Sequence, residues 1–230
     1  MISRLSNFLW SAIAPWLAQP AVAEWLIQRA MRTPYSPIIK NGHLYMERFW
    51  LFNAYPDTGE SGADRKWWQF PISIRIHHIV LPDQDRHLHD HPWNARTFIL
   101  RGAYREAKEQ DFSGMSGANP EYYVERQTGD TATLGFGEYH RIVALSSGGA
   151  WTMFVTGPHR GTWGFLVDGK KVQWRKYLGI PERPANSPET GKPAVEKDRP
   201  LRRHVLLAVI AIYCAAAVGA CGLVYILGAP

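Results

Sequence analysis

Three histidines in two separated segments of this 230-residue chain are the side chains best suited to chemistry. His89 and His91 lie two positions apart in the run His-Asp-His-Pro-Trp, and His140 follows in a later segment. On an extended strand, side chains two residues apart point to the same side, and neutral imidazole is a ligand for iron, zinc, nickel and copper. The spacing therefore predicts a facial metal site made by His89, His91 and, from a distant strand, His140.

The segment that must position these rings, residues 34–178, is predicted to be rich in β-strands. Isoleucines at 72, 74 and 76 alternate with Ser73, Arg75 and His77, which is the period-two pattern of a strand. Further strands are predicted at 97–100, 122–126, 131–134, 141–145, 151–156, 163–167 and 171–177. Turn signals separate the runs, among them Gly102, Gly148-Gly149 and the hairpin signal Asp168-Gly169. Many short strands without a long helical period predict a sandwich or a barrel closed from two sheets.

The first 33 residues are predicted to form two short helices outside this β-rich part. Apolar side chains recur at helical spacing on both sides of Pro20, from Leu5 to Leu17 and from Val22 to Leu26. Three tryptophans in this stretch favour a membrane–water interface, so the helices are predicted to lie in that interface or against a partner. The alternative is a signal peptide cleaved near the small residues 21–23.

The C-terminal part is predicted to hold the chain on a membrane. Residues 179–204 form a Pro-rich basic linker, and residues 205–227 a transmembrane helix. The run from Val205 to Leu227 carries no charged side chain, and at about 1.5 Å per residue it would span roughly 34 Å, enough for a bilayer core of about 30 Å. Arg202 and Arg203 precede it, so the positive-inside rule predicts a single-pass anchor with the β-rich domain on the cytoplasmic side, in a bacterial inner membrane.

Composition excludes several classes of function. The net charge of +6 is moderate, and no run of basic residues is interleaved with aromatic side chains, so no nucleic-acid partner is predicted. The only two cysteines, Cys214 and Cys221, lie in the predicted membrane segment. This excludes a disulfide framework or a cysteine nucleophile from the β-rich domain. Phosphate loops, nucleophile elbows and dinucleotide fingerprints are also missing from the sequence.

The first histidine segment resembles the first motif of the cupin superfamily, whose fold is a double-stranded β-helix, or jelly-roll barrel. His89-x-His91 leads to Gly102 at the distance that the motif requires, but Ala95 stands where the motif has a glutamate. The second segment resembles the second motif: Gly129 and a Gly-x-Gly pair precede His140 at the right spacing, with glycine in place of the usual proline.

The resemblance extends over residues 43–178, which are similar to a group of largely uncharacterised bacterial and phage cupins with the run Leu-His-Asp-His-Pro-Trp. It implies a mainly β cupin barrel that binds a divalent metal. The three-histidine set resembles that of thiol dioxygenases and diketone-cleaving dioxygenases, which use ferrous iron to activate dioxygen. Fe(II) is therefore the metal that the resemblance implies, with zinc, manganese or nickel as alternatives.

Near the predicted barrel mouth, Arg96 and Tyr104 are the candidates for catalysis. Arg96 would lie near the vacant glutamate position, where its guanidinium could bind a substrate carboxylate or phosphate, unless it is a solvated strand arginine. Tyr104 and Glu106 follow Gly102 with alternating spacing and are predicted to reach the mouth. Whether Arg75 lines the pocket or faces water stays open at this point.

Three functions stay open on the sequence alone. The first is a membrane-anchored cupin metalloprotein acting as a mononuclear iron dioxygenase on a small molecule. The second is a non-catalytic structural or assembly subunit of a membrane complex, and the third is a cupin sugar isomerase or epimerase. The predicted partners are membrane lipid and either a larger complex or a second copy of the chain.

Overall fold

A computed structural model of the chain describes residues 2–40, 42–54, 72–110 and 121–181. Within these ranges the fold is mainly β, with two N-terminal helices ahead of the strands. The elements are α1 Ile2–Leu17, α2 Pro20–Ala30, β1 Pro34–Lys40, β2 His43–Phe52, β3 Ser73–Ile79, β4 Ala95–Glu109, β5 Glu121–Gln127, β6 Thr131–Leu134, β7 His140–Thr156, β8 Gly164–Val167, β9 Lys170–Gln173 and α3 Trp174–Tyr177.

The strands form one antiparallel sheet of seven strands and one hairpin. The order of the large sheet is β1-β2-β3-β7-β4-β5, with β6 paired to β4, and β8 pairs with β9. In the β8–β9 hairpin, Asp168 and Gly169 both have positive φ angles, 49° and 72°. This is the turn that the sequence predicts at these two residues.

The two longest strands, β4 and β7, bend where their register is interrupted. Gly102 pairs with Ala150 and Tyr104 pairs with Leu145, so four residues of β7 lie opposite one residue of β4. Bulges of this kind bend strands, and Gly148 and Gly149 supply positive φ angles at the extra residues. The sequence prediction of a turn here, between separate strands 141–145 and 151–156, is wrong, because the chain continues as a single bent strand.

The bend lets β4 and β7 take part in two layers. Their first layer continues through β3 to β1. Their second layer continues through a short segment around His89, whose backbone exchanges two hydrogen bonds of 2.9 Å with His140 of β7. On its other side this segment pairs with β8, through Leu166 N–H to Leu88 O at 2.8 Å. This barrel-like arrangement agrees with the sandwich or barrel predicted from the sequence.

The two N-terminal helices lie where the sequence predicts them, and they pack on the sheet of their own chain. One core cluster joins their buried side chains to the outer face of the sheet, and its members are Ala14, Leu17, Ala23, Leu26, Ile27, Ala30, Phe49, Ile74, Ile76, Phe98, Leu100 and Met153. Much of the apolar face of the helices therefore has a partner within the protein. Trp16 and Trp25 of the same helices are instead 48% and 58% exposed.

The inner face of the sheet carries a second set of side chains, because residues alternate between faces along each strand. Tyr45, Ile79, Ile99 and Tyr104 form an apolar cluster there, and a smaller cluster surrounds Trp93. In β3, Arg75 and His77 alternate with the outward isoleucines and are buried. Arg75 therefore lies inside the fold, which answers the question that the sequence left open.

The predicted membrane segment, residues 205–227, lies outside the described residues, as does most of the linker 179–204. Among the described residues, none of the helices combines the length and the apolar character that crossing a membrane requires.

The chain departs from the predicted strands at two other places. Residues 174–177, predicted as the end of a strand, form α3, because Gln173 Oε1 accepts hydrogen bonds from the backbone N–H groups of Arg175 and Lys176 and so begins a helix. The strands β1 and β2, between Pro34 and Phe52, lie in the part predicted to be β-rich but were not predicted as individual strands.

Candidate metal centre

The three predicted histidines meet at one place in the fold. One ring nitrogen from each of His89, His91 and His140 lies within 4.8 Å of the other two. The Nε2 atoms of His91 and His140 are 3.0 Å apart. The convergence that the sequence predicts is therefore present in the structure.

Backbone pairing explains how two separate segments bring the rings together. His89 and His140 are directly opposite each other in an antiparallel bridge, so their side chains project from the same face. His91 lies two residues after His89 and shares that face. Cross-strand pairing therefore places His89 and His140 on one face, and the two-residue period of the strand adds His91 to it.

Asp90, between the two ligand candidates, fixes this short segment to β8 and β9. Its side chain is fully buried and accepts hydrogen bonds from Gly164 N–H at 2.7 Å and from Lys171 Nζ at 2.5 Å. The carboxylate faces away from its neighbouring histidines, as the alternation predicts. It holds the segment in place without contacting the centre.

The separation of the two Nε2 atoms fits a shared metal ion. Two nitrogens that each lie about 2.1 Å from one ion, at a right angle, are about 3.0 Å apart, and His91 and His140 have this separation. His89 Nδ1 is buried and has no hydrogen-bond partner among the described residues. The donor set and the spacing therefore fit a divalent metal held by three neutral imidazoles.

Glu106 of β4 orients the His140 ring. Its Oε1 accepts a hydrogen bond from His140 Nδ1 at 2.9 Å, and Arg126 Nε donates to its Oε2 at 3.1 Å. A proton on Nδ1 leaves the lone pair of Nε2 directed at the centre, and outer carboxylates of this kind are common around metal-binding histidines. The sequence suggested only that Glu106 reaches the barrel mouth, because the cross-strand pairing that aligns it with His140 is not visible in the sequence.

The pKa values around the site agree with neutral imidazoles and an ionised carboxylate. Burial lowers the pKa of His89 to about 4, against the opposing charge of Asp83. Burial, with the charge of His140, also holds the pKa of His91 well below its usual value. Burial alone would raise the pKa of Glu106, but its hydrogen bond with His140 and the nearby cations lower it to about 2. At neutral pH, the lone pairs of His89 and His91 are therefore available to a metal.

Aromatic side chains enclose the three rings. The Trp93 ring stacks on His91 with 4.9 Å between centroids, and Phe165 lies 5.9 Å from His89. At the position where the cupin motif has a glutamate, Ala95 packs in an apolar cluster with Trp93, Leu134 and Phe154. Within the described residues no carboxylate joins the cluster of ligand atoms, so the set is three histidines, as the sequence predicts.

The two predicted catalytic residues, Arg96 and Tyr104, lie on opposite faces of the sheet. Arg96 does not reach the centre, and this prediction is wrong: its guanidinium donates to Asn7 of α1 and to Thr131, and it lies over the Trp10 ring. The reason is alternation, since Ala95 takes the inner face and Arg96 the outer face. Tyr104 is buried on the inner face, two residues from Glu106. Its catalytic role stays a prediction.

Three other histidines lie apart from the centre. His87 Nδ1 is 2.9 Å from the Tyr177 hydroxyl. His78 stacks on Trp151 on the outer face, while His77 next to it is buried inside. The opposite directions of His77 and His78 follow the alternation that the sequence predicts.

Comparison with known proteins finds similar structures but no matching sequences. No protein-family model matches the chain, and no curated protein sequence matches it. Solved structures similar to the chain include Fe(II)-HppE with the alternative substrate (S)-1-HPP, at 12% identity and a TM-score of 0.38 over 56% of this chain and 57% of that one. A cupin 2 conserved barrel domain protein from Rhodopseudomonas palustris has 15% identity and a TM-score of 0.37 over 59% and 76% of the two chains. Oxalate decarboxylase from Bacillus subtilis has 13% identity and a TM-score of 0.41 over 67% and 33%.

The two segments that resemble the cupin motifs bring their three imidazoles together in the structure, and one of the similar structures is a cupin 2 conserved barrel domain protein. The chain covers little more than half the length of the HppE structure and a third of the oxalate decarboxylase. At these identities and TM-scores the similarities carry no argument about metal, substrate or reaction.

Proposed function

We propose that the protein binds one divalent metal ion through His89, His91 and His140 and acts as a mononuclear iron dioxygenase on a small molecule. The observation that carries the proposal is the convergence of three imidazoles without a carboxylate among them. Three protein ligands leave positions open on a metal, where substrate or dioxygen can bind. Ferrous iron, when bound, would supply the activation of dioxygen.

The chain's own residues prepare the site for this chemistry. Glu106 holds the His140 ring with its Nε2 lone pair toward the centre. Trp93 and Phe165 cover His91 and His89 and exclude water from that side. Tyr104 is the proposed hydrogen-bond donor to the substrate on the inner face, because burial and the charge of Glu106 raise the pKa of its hydroxyl and keep it protonated.

The proposal includes a membrane location. The uncharged run Val205 to Leu227, with Arg202 and Arg203 before it, supports a C-terminal anchor and a cytoplasmic β domain. The exposed side chains of Phe8, Trp16 and Trp25 on the helix layer are of the kind that binds at a lipid surface.

The metal assignment is tested with the full-length protein in detergent. Wild type, His140→Ala and the control His43→Ala are purified, loaded with Fe(II) without oxygen, and analysed for metal content. His43 is an exposed residue at the start of β2 and is not one of the three proposed metal ligands. We expect a single ion per chain in wild type and the control, and loss of the ion in His140→Ala. Equal metal content in all three proteins would contradict the ligand assignment.

Oxygen uptake tests the reaction. The Fe(II)-loaded protein is exposed to a panel of small chelating molecules, and dioxygen consumption is followed with an electrode. We expect uptake with wild type and His43→Ala and none with His140→Ala. Bound iron without uptake on any compound would contradict the dioxygenase proposal.

A second candidate is a non-catalytic subunit of a membrane complex. The observation that favours it is a set of exposed apolar side chains on α1, on α2 and at the residue after α2, namely Phe8, Trp16, Trp25 and Met31. Mild detergent extraction separates the two functions: migration with a large complex at fixed stoichiometry favours the subunit, and a free monomer or dimer with bound iron favours the enzyme.

A further inference from the structure

The two N-terminal helices have an uncharged surface on the side that faces away from the sheet. A helix at the surface of a globular protein usually has charged or polar residues opposite its buried face. Here the exposed residues between positions 7 and 30 are Asn7, Phe8, Ser11, Ala12, Pro15, Trp16, Gln19, Pro20, Ala21, Trp25 and Gln28. None of these residues is charged, so α1 and α2 differ from ordinary surface helices.

Large aromatic side chains project from this surface. Phe8, Trp16 and Trp25 are 60%, 48% and 58% exposed, although rings of this size are usually buried in a folded protein. Phe8, Ala12 and Trp16 follow each other in four-residue steps along α1, and Ala21 and Trp25 do so along α2. Residues four apart lie on one face of a helix, so each helix presents one continuous stripe.

Both stripes point to the same side of the molecule. The buried faces of α1 and α2 join one core cluster with the outer face of the sheet, so the opposite faces both point away from the sheet. Two arginines of β4 hold the helices in this position: Arg96 donates to Asn7 of α1, and Arg101 pairs with Glu24 of α2 at 2.7 Å. Together the stripes form the helix surface, which consists of Phe8, Ala12, Trp16, Ala21 and Trp25.

The chemistry of the helix surface suits the boundary between lipid and water. A tryptophan ring joins a large apolar body to one N–H donor, and tryptophan is therefore enriched in this layer of membranes. The first 33 residues contain three arginines, at positions 4, 29 and 32, and one acidic residue, Glu24. Glu24 already pairs with Arg101, and Arg32 is exposed just after α2. This excess of positive charge favours a bilayer with anionic headgroups.

The rest of the chain would bring a bilayer within reach of this surface. Residues 205–227 are an uncharged run long enough for a membrane span, and residues 182–204 connect that run to the described domain. At about 3.3 Å per residue, this connection extends to at most roughly 75 Å, which is more than the width of a small domain. Such a tether fixes no orientation of the domain by itself, so a second contact is needed to set it.

We propose that the helix surface docks on an anionic lipid bilayer, as a second attachment beside the C-terminal span, and sets the orientation of the β domain. The inference deepens the proposed membrane location and rests on it. The helices cover the outer face of the sheet, whereas the metal ligands lie on its inner side, where Glu106 contacts His140. Docking therefore places the sheet between the lipid and the metal centre, and the substrate reaches that centre from the aqueous side.

Photolabelling of the full-length protein from the lipid tests the contact. The protein is reconstituted in vesicles of phosphatidylcholine and phosphatidylglycerol with a diazirine lipid whose reactive group lies near the headgroup, and mass spectrometry maps the labelled residues after illumination. Tyr122 and Tyr123 serve as references, because they are 42% and 60% exposed but belong to β5, at the opposite edge of the sheet from β1. We expect about fivefold more label on Phe8, Trp16 and Trp25 than on these tyrosines. Equal labelling would overturn the proposal.

A pair of double variants assigns the label to the helix surface. Trp16→Gln with Trp25→Gln removes its two tryptophans, and we expect about fivefold less label on Phe8 than in wild type. The matched control is Tyr122→Gln with Tyr123→Gln, which removes two rings of similar exposure and is expected to leave the label on Phe8 unchanged. Unchanged label on Phe8 in the tryptophan variant would overturn the proposal. If that variant does not keep the wild-type unfolding temperature, Trp25→Gln alone takes its place, with about twofold less label expected and unchanged label again overturning the proposal.

The pattern of label separates the failure of this inference from the failure of the proposed C-terminal span. Label in residues 205–227 but not on the helix surface overturns the inference and leaves the span standing. Label on the helix surface but none in residues 205–227 supports the inference and refutes the span. A photoreactive group substituted for Trp25 identifies the other occupants: a cross-link to a second copy of the chain, or to residues 205–227, without lipid label on the helix surface overturns the inference.

Discussion

Replacement of Glu106 by glutamine is the sharpest test of how the fold prepares the metal centre. Glu106 is only 4% exposed and contacts the site through His140 alone, at 2.9 Å. The amide of the Glu106→Gln variant fills the same space and can still accept a hydrogen bond from the ring. The substitution removes the negative charge and also the acceptor of Arg126 Nε, because an amide NH2 takes the place of Oε2. The variant therefore measures what the charge of this carboxylate contributes to the binding of a metal by His140.

The structure gives the size of the expected effect. Burial disfavours the charged form of Glu106, but its hydrogen bond with His140 and the charges of His140, Lys108 and Arg126 lower its pKa from 4.5 to about 2. At about 1.4 kcal/mol per pKa unit, the surroundings favour the carboxylate over the acid by about 3 kcal/mol. A charge-assisted hydrogen bond is roughly twice as strong as a neutral one. Mutation of such an outer partner typically lowers metal affinity by about 10–100-fold, or roughly 1.4–2.8 kcal/mol.

We therefore expect Glu106→Gln to bind a divalent metal about 10–100-fold more weakly than wild type. The assay is competition between metal-free protein and a chelating indicator for Co(II). The control is Glu125→Gln on β5, which removes an exposed carboxylate of the same sheet, paired with Arg105. Unfolding in denaturant shows whether both variants keep the wild-type stability. A metal affinity of Glu106→Gln within twofold of wild type, in a folded protein, would refute the idea that this carboxylate orients His140.

Two further predictions concern stability. The pKa values of His77, His89 and His91 lie below their usual value because of burial, so below about pH 6.5 the unfolded chain takes up protons that the folded chain does not. The metal-free protein should therefore lose stability as the pH falls from 6.5 to about 4, by up to about 1.4 kcal/mol per histidine and pH unit; equal denaturation midpoints at pH 7 and pH 5 would contradict the burial of neutral rings. Gly149→Ala should destabilise the protein far more than Gly169→Ala. Both glycines have positive φ, but a Cβ at Gly149 would overlap the carbonyl of Ile79, whereas at Gly169 it meets open space. Thermal unfolding of the two variants measures the difference, and similar losses would refute the bulge packing.

The metal ligands are the part of the site that the sequence predicts best. His89 and His91 share a face because of the two-residue period, and that period holds wherever a strand forms. Their meeting with His140 is a contact between distant segments, and only the resemblance of the two motifs to those of cupins predicted it. Glu106 illustrates the limit: its partner in β7 is set by a register that shifts at bulges, and no local pattern encodes that shift.

The choice of face is the part that alternation alone cannot predict. A strand with one solvated face reveals its inner side by its polar residues, but β3 is buried on both faces, because the helices α1 and α2 cover the outer one. Arg75 was therefore left undecided, and it lies inside. Arg96 is a candidate substrate ligand on the sequence alone, and it lies outside, where Asn7 of α1 binds it. Both outcomes depend on the helix layer, whose position on the sheet is a tertiary property.

The bend in β4 and β7 shows a second limit of prediction from the sequence, because a pair of glycines can indicate either a turn or a bulge. Gly148-Gly149 predicts a turn between strands, and glycines with positive φ are also what a bulge requires. The difference depends on whether the flanking strands pair with each other or with a common neighbour. Here β7 pairs with β4 on both sides of the glycines, so the strand continues and carries His140 in the second layer and Phe154 in the first.

The charge of the metal centre leads to one requirement on the substrate. Three neutral imidazoles give a bound divalent metal no negative charge, and Ala95 stands where a carboxylate would have supplied it. Glu106 is the carboxylate that contacts the ligand set, and its negative charge is already paired with Arg126. A neutral substrate would leave the charge of the metal uncompensated by its ligands, whereas an anionic molecule could balance it. Under the proposed function, the substrate must therefore carry negative charge in order to bind. The reason is that Ala95 replaces the usual glutamate, so the negative charge has to come from the substrate and not from the protein.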